Sequence, residues 1–268
     1  MISHTDPVDD GRVQVRVHGS SGTVIFNRDE KRNAISRNMI EQMKLALSDL
    51  HQEKKVRAVI LTGAGETFSS GTDLLELKDT MSDEGSQGIW CQDCVAQKEL
   101  LESILRFPKP VVAAVNGPAL GFAAAIVMAC DVVIGTDRAT FGFPDTERGL
   151  VSGFAAPLLA FRLGAGIAAD RVLRGNLLNG SEALSIGIYH SLVPQDLIWA
   201  KASEIAKLQE KKSSAAISMT KKLINETIGE SLFTQLSTAA AATAAARTTE
   251  SAKEGVSAFL EKREPEWP

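Results

Sequence analysis

The sequence predicts an α/β fold with a C-terminal α-helical region, and three features of its 268 residues predict it. Short apolar or alternating runs recur through the first part of the chain, with amphipathic helical patterns between them. Two of those runs lead into glycine-bearing turns that open helices. Beyond about residue 165 the strand signals give way to a series of helices. Strands separated by helices require crossover connections, so the pairing should be mainly parallel.

In chain order, strands are expected at residues 13–17, 23–26, 58–62, 111–115 and 132–135, each a short β-branched or alternating run. Met39, Met43, Leu47 and Leu50 follow one another at helical spacing and mark one buried helix face. Leu100, Leu101, Ile104 and Leu105 mark another, which Pro108 and Pro110 bring to an end. The polar stretch 80–88 reads as a mobile loop. Helices then follow at 167–174, 182–186, 197–210, 215–228, 232–247 and 255–263, with Ser181 the expected N-cap of the second and Glu182 in its first turn. This series has no α/β unit of its own. The expected division is a core of residues 1–196 and a helical region of residues 197–268 that packs on the core or on a neighbouring subunit. The alanine-rich stretch 239–246 suits close helix–helix approach, besides being a strong helix former. There is no internal repeat.

Composition narrows the partners. A hydrophobic fraction of 44% with 23% charged residues is enough for a real core and argues against disorder. A net charge of −4 lacks the basic footprint of a nucleic-acid binder, while leaving room for a local basic pocket. No apolar run reaches the ~18–20 residues that a membrane span needs. The polar, acidic residues 1–11 resemble neither a secretory nor a transit signal. Three cysteines do not make a disulfide framework, so a reducing, cytoplasmic setting is expected, and the sequons at Asn179 and Asn225 are chance matches.

The chemistry is suggested by two junctions with the same grammar. The strand at 58–62 runs into Gly63-Ala-Gly-Glu-Thr-Phe-Ser-Ser-Gly71 and then Thr72-Asp73-Leu74. The strand at 111–115 runs into Asn116-Gly-Pro-Ala-Leu-Gly121 and then a helix from Phe122. Glycines allow close backbone approach, and free N–H groups at a helix start favour an anion. Each junction alone is compatible with an ordinary turn. Converging on one point, the two would form an oxyanion hole.

Five segments carry these features in order: Asn27-Arg-Asp-Glu-Lys-Arg-Asn-Ala34, then residues 58–73, 109–131, 139–149 and 254–263. On them the chain resembles the crotonase superfamily, the enoyl-CoA hydratase/isomerase family, over nearly its whole length. The resemblance implies a crotonase-like spiral of ββα repeats and a homotrimer or dimer of trimers. It implies an acyl-CoA substrate, with coenzyme A as part of the substrate and no other cofactor or metal. The Thr72 and Phe122 N–H groups would hold the thioester oxygen. Lys31, Arg32 and Ala34 would lie along the CoA, with Ser70, Thr72 and Leu74 beside its adenine and pantetheine. Phe259 and Lys262, on the last helix, would reach a CoA bound by a neighbouring subunit. Apart from the resemblance, Lys31, Arg32 and Lys262 read as solvated surface charges. Phe122 stands where the family commonly has glycine, which keeps the N–H and adds bulk beside the acyl group.

Family hydratases use two carboxylates. This chain has Ala125 at one position and, after Phe141-Gly-Phe-Pro144, Asp145 at the other. A single acid/base suits a double-bond shift, which moves one proton, better than hydration. Asp145 is therefore the candidate acid/base, although an aspartate after proline is also an ordinary turn residue. An approach by Arg148 would favour its ionised form and weaken it as a base. Ser152 stands near a place where some family isomerases carry a glutamate, so that variant is not supported. Asp93 and Glu99 are the possible substitutes for the missing acid, and a solvated helix face is the plainer reading of both.

Two alternatives stay open. One is a vestigial acyl-CoA binder of the same fold, suggested by Ala125. The other is a dithiol oxidoreductase using Cys91 and Cys94, whose Cys-x-x-Cys spacing lacks the usual preceding strand. Gly164-Ala-Gly166-Ile-Ala-Ala169 fits a dinucleotide pattern without a strand before it. The four histidines share no context with a nucleophile, and no G-x-S-x-G elbow exists.

Overall fold

Val13–His18 (β1) and Ser21–Phe26 (β2) form an antiparallel hairpin at one edge of a six-stranded sheet. The computed structural model describes residues 10–81 and 85–268; His4 and residues 82–84 of the expected mobile loop lie outside the described residues. After the hairpin come α1 (Arg37–Gln52), β3 (Ala58–Gly63), α2 (Leu74–Thr80) and α3 (Ser86–Arg106). Next are β4 (Val111–Val115), β5 (Ala119–Leu120), α4 (Phe122–Ala129), β6 (Val132–Gly135) and β7 (Thr140–Gly142). The order β1-β2-β3-β4-β6-β9 is parallel from β2 onward, where β9 is Ser191–Leu192. A second sheet, β5-β7-β8, adds Leu178–Asn179 as β8. Successive turns of the chain thus place one strand in each sheet, the spiral that the resemblance implied.

The parallel strands β2, β3, β4 and β6 are buried on both faces, as parallel pairing requires, while the antiparallel edge strand β1 is largely exposed. Val59, Leu61, Val111, Ala113 and Val133 face the main core with the apolar stripe of α1. The alternate residues Ile60, Val112, Ala114 and Ile134 face Ile198 and Ala202 of α8 (Ile198–Leu208). Each fully buried Val or Ile contributes about 1.5–3 kcal/mol. Helix α8, from the expected helical region 197–268, thus closes the second face of the sheet. Between β7 and α8 lie α5 (Ala155–Leu163), α6 (Ala165–Arg174) and α7 (Gly180–Ser185). The chain continues with α9 (Ser214–Lys222), α10 (Glu230–Ala246) and α11 (Glu250–Glu261). Helix α10 buries Leu232, Leu236, Ala239, Ala240 and Ala244 and packs on α3 and α5.

Several local expectations are corrected. The cap of α7 is Asn179, not Ser181: its Oδ1 accepts the Glu182 N–H, and Glu182 returns a bond to the Asn179 N–H. The helix expected at 215–228 changes at Leu223 into a π-helical turn, in which buried Asn225 donates to the Leu105 carbonyl. Most of 80–88 is tied down: α3 starts at Ser86, whose hydroxyl bonds the Thr80 carbonyl, and the Trp90 indole donates to Thr80 Oγ1. Lys221 is nearly buried, with its ammonium on Asp131 (2.6 Å), the Ile104 carbonyl (3.0 Å) and the Lys109 carbonyl (3.4 Å). Asp131 also accepts the Val111 N–H at the start of β4. Among the described residues no helix is long and apolar enough to cross a membrane.

Candidate functional site

The two glycine-bearing junctions are pinned together by asparagine side chains. Asn116 accepts the Gly63 N–H (3.1 Å) and donates to the carbonyls of Gly63 and Gly65 (both 3.0 Å). Asn33, in the left-handed region, donates to the Ala64 and Thr67 carbonyls and accepts the Arg28 N–H. Two single-residue bridges complete the frame. Ser69 exchanges bonds with Pro118 and Leu120, and Ile35 does so with Gly71 and Asp73.

This frame fixes where the amides of Thr72 and Phe122 point. The bridge to Ile35 uses the flanking groups of Gly71 and Asp73, so the Thr72 N–H faces the other side of its strand. Phe122 is the first residue of α4, where an N–H has no intrahelical acceptor. Neither N–H has a backbone acceptor among the described residues. Gly71 has φ +91°, and a Cβ there would stand 2.6 Å from the Leu120 carbonyl and 3.3 Å from the Phe122 nitrogen. The junctions therefore converge, and only glycine permits the approach.

Asp145 comes to the same corner from the turn after β7. Its Oδ1 is 3.2 Å from where a Cβ on Gly121 would lie, and its Oδ2 accepts the Ser152 hydroxyl at 2.7 Å. Enclosure by protein raises its pKa above the ordinary carboxylate value, against the opposing pulls of the Ser152 hydrogen bond and the Arg148 charge. Arg148 acts in the expected direction, favouring the ionised form, but desolvation outweighs it. Arg148 is itself held elsewhere: Nη1 donates to the Pro144 carbonyl, and the guanidinium stacks 4.4 Å above the Phe259 ring.

A cavity of about 380 Å³ opens at this corner. Lys31, Arg32, Ala34, Ser70, Thr72, Leu74, Phe122, Asp145 and Phe259 all line it. Lys262 does not; it is the exposed left-handed cap of α11. Phe259 lines the cavity of its own chain, because α11 packs on α2 and on the turn Thr146–Arg148, whereas the resemblance placed it at a neighbour's CoA. Ala125, Phe143 and Phe154 give the cavity an apolar wall, with the Phe122 and Phe154 rings edge to face at 5.9 Å.

Other candidates go elsewhere. Asp93 accepts two bonds from Arg37 (2.6 and 2.9 Å) and one from Arg247 (3.3 Å), so it is a structural anion. Glu99 pairs with Lys44 at 2.9 Å. Asp73 caps α2 through the Leu75 N–H and pairs with Arg28 at 2.5 Å. Cys91 and Cys94 lie on one helix, and burial pushes the Cys94 thiol up to about 11, opposite to what thiolate exchange requires. Gly164–Ala169 lies at the start of α6, directly after helix α5 rather than a strand. Sequence reasoning missed Gln97, Thr243 and Arg247, which also line the cavity. Gln97 donates to Thr72 Oγ1 at 3.2 Å. A signal for the other two was present: a threonine interrupts an alanine-rich helix and an arginine four residues later ends it.

A family model described as enoyl-CoA hydratase/isomerase matches residues 18–268. A putative enoyl-CoA hydratase of Thermus thermophilus is 33% identical over 92% of this chain and 97% of its own. A short-chain-enoyl-CoA hydratase of Clostridium acetobutylicum is 34% identical over 92% and 94%. The crystal structure of an enoyl-CoA hydratase/isomerase from Pseudoalteromonas atlantica superposes with a TM-score of 0.83 at 29% identity, covering 96% of this chain and all of that one. One from Xanthobacter autotrophicus reaches 0.85 at 25% identity, covering 94% and 97%.

Proposed function

The chain belongs to the enoyl-CoA hydratase/isomerase family, and from that premise we propose that it shifts or hydrates the double bond of an enoyl-CoA with one carboxylate, Asp145. The observation that carries this reading is the position of the Asp145 carboxylate against Gly121, beside the two converging amides. In the proposed reaction the thioester oxygen accepts the N–H bonds of Thr72 and Phe122. Asp145 takes a proton from the α-carbon of a 3-enoyl-CoA, and negative charge moves to the oxygen held by those amides. Asp145 then returns the proton at the γ-carbon, leaving the 2-enoyl isomer with no net change in atoms. Preorganised donors of this kind stabilise the enolate where its charge develops. A carboxyl group with a raised pKa is both a stronger base and a more available acid.

Isomerisation should outrun hydration. Ala125 occupies the place where family hydratases carry a second acid, and the other carboxylates of the cavity, Glu30 and Asp73, are exposed and paired with Arg28, respectively. Lys31 and Arg32, exposed at the rim, suit the phosphates of CoA. The reading needs no cofactor beyond the CoA of the substrate. Assembly as a trimer or dimer of trimers is part of it; Leu173, Met219 and Ile228 are large apolar side chains left exposed in the single chain. Light scattering that gave a monomer at micromolar concentration would remove the assembly.

The test of mechanism follows 3-enoyl-CoA and 2-enoyl-CoA side by side, with solvent deuterium reporting exchange at the α-carbon. Faster isomerisation is the expected result. Faster hydration would put the hydratase reading first, and CoA binding without turnover would leave an acyl-CoA binder.

A further inference from the structure

The wall of the cavity contributed by α3 and α10 is polar in a way that an unsubstituted alkyl chain does not need. Arg247 is almost wholly buried, yet it lines the cavity. Its one side-chain bond among the described residues is Nη1 to Asp93 at 3.3 Å, and Asp93 is shared with Arg37, which holds both carboxylate oxygens at shorter distances. Two guanidinium groups thus divide one carboxylate, and among the described residues Nε and Nη2 of Arg247 have no protein acceptor and are not fully enclosed. One helical turn earlier, Thr243 also lines the cavity, and its Oγ1 is buried without a partner. Gly153 packs against that hydroxyl, where a Cβ would collide with it. Gln97, one turn after Asp93 on α3, lines the cavity too, with its amide on Thr72 Oγ1.

Buried donors and buried charge are unfavourable unless something accepts from them. A second anion would satisfy the fork of Arg247 in the bidentate geometry that carboxylates favour, and would accept from Thr243 as well. We propose that this wall recognises a carboxylate at the far end of the acyl group, so that the substrate is an ω-carboxyacyl-CoA. The inference rests on the acyl-CoA reading of the cavity and names the class of acyl group within it. The apolar lining residues Phe122, Ala125 and Phe154 would enclose the carbon chain between the thioester and that terminus.

The test compares two saturated five-carbon ligands by calorimetry, glutaryl-CoA and pentanoyl-CoA, which differ at the acyl terminus. The wild-type protein should bind glutaryl-CoA about 10- to 100-fold more tightly, the range for a hydrogen bond to a charged group. Arg247→Met should abolish that preference while leaving pentanoyl-CoA affinity within a few-fold; Arg247→Lys should retain part of it, and Thr243→Val should reduce it less. Equal wild-type affinities, a preference that survives Arg247→Met, or equally tight binding of the uncharged terminal amide would each overturn the assignment. The wild-type comparison decides even if the variants fail to fold. Turnover of a 3-enoyl-CoA is measured separately. Turnover without terminal preference removes only this inference, preference without turnover removes only the enzymatic reading, and binding of neither ligand removes both.

Discussion

At one end of the cavity the donors are main-chain amides of Thr72 and Phe122; the wall that Gln97 joins to Thr72 Oγ1 carries the side-chain donors of Thr243 and Arg247. The first end is held by short-range geometry, with Gly71 and Gly121 at positive φ and Asn33 and Asn116 stapling the loops. The second exists only because α3 and α10, far apart in the chain, pack against each other. A main-chain site tolerates change in side-chain identity but not in backbone conformation. A side-chain site has the reverse sensitivity, so one end of the pocket can change its preference while the other keeps its chemistry.

The experiments that test this contrast run from large effects to small. Asp145→Asn removes the group proposed to serve the amide end, and kcat should fall about 10²–10⁴-fold with CoA affinity unchanged; wild-type turnover would remove Asp145 from the mechanism. Gly71→Ala forces a Cβ against the Leu120 carbonyl at φ +91°. It should displace one donor and cost about 10²–10³ in kcat, whereas Thr72→Val, which leaves the N–H in place, should change kcat only a few-fold. Comparable losses in both would show that the Thr72 side chain, not its amide, matters. Lys31→Glu with Arg32→Glu should weaken acetyl-CoA binding at low salt and less so at high salt, as screening predicts.

The smallest effects are in pH. As the proposed base, Asp145 would act when ionised, so kcat/KM should fall as pH drops through its raised pKa, with the acid limb above the ordinary carboxylate value. Ser152→Ala removes a hydrogen bond that favours the ionised form, and the limb should move to higher pH. The same shift affects stability. An acid whose pKa is higher folded than unfolded favours the fold below the ordinary carboxylate range, and this contribution is lost as pH rises through the folded value. Asp145→Asn should therefore melt above the wild type at neutral pH, and the gap should close near pH 4, where calorimetric scans would check it.

The contrast also explains what the sequence made legible. The amide end could be read because its requirement is local: a β-branched run, a glycine that a Cβ would obstruct, and a helix start. Strands β4 and β6 were placed to the residue for a similar reason, since runs buried on both faces have sharp ends. Asp145 was legible only through the family resemblance, and the sign of its pKa shift was not, because the enclosure that dominates it comes from packing around the turn after β7. Arg247 and Thr243 were invisible as site residues, although both stood out in the alanine-rich helix. Nothing local says that their face meets α3 and a cavity rather than solvent. The cap of α7 was misplaced by two residues because both Asn179 and Ser181 carry capping side chains, and only the position of Glu182 relative to them decides.

The ammonium of Lys221, clasped between Asp131 and the carbonyls of Ile104 and Lys109, has a consequence for the order of assembly. The three acceptors are in place some ninety residues or more before their cation is synthesised. A nascent chain that has made the sheet but not yet α9 holds an aspartate near the start of β4 without its ion-pair partner, the Arg162 charge being nearby but not in contact. That intermediate should stay loosely closed, since a half-buried charge that lacks its partner is costly. Arrival of Lys221 then acts as a latch, turning a breathing sheet into a sealed one. Amide hydrogen exchange at Val111, whose N–H rests on the same Asp131, should record the moment: slow in the wild type and far faster in Lys221→Met.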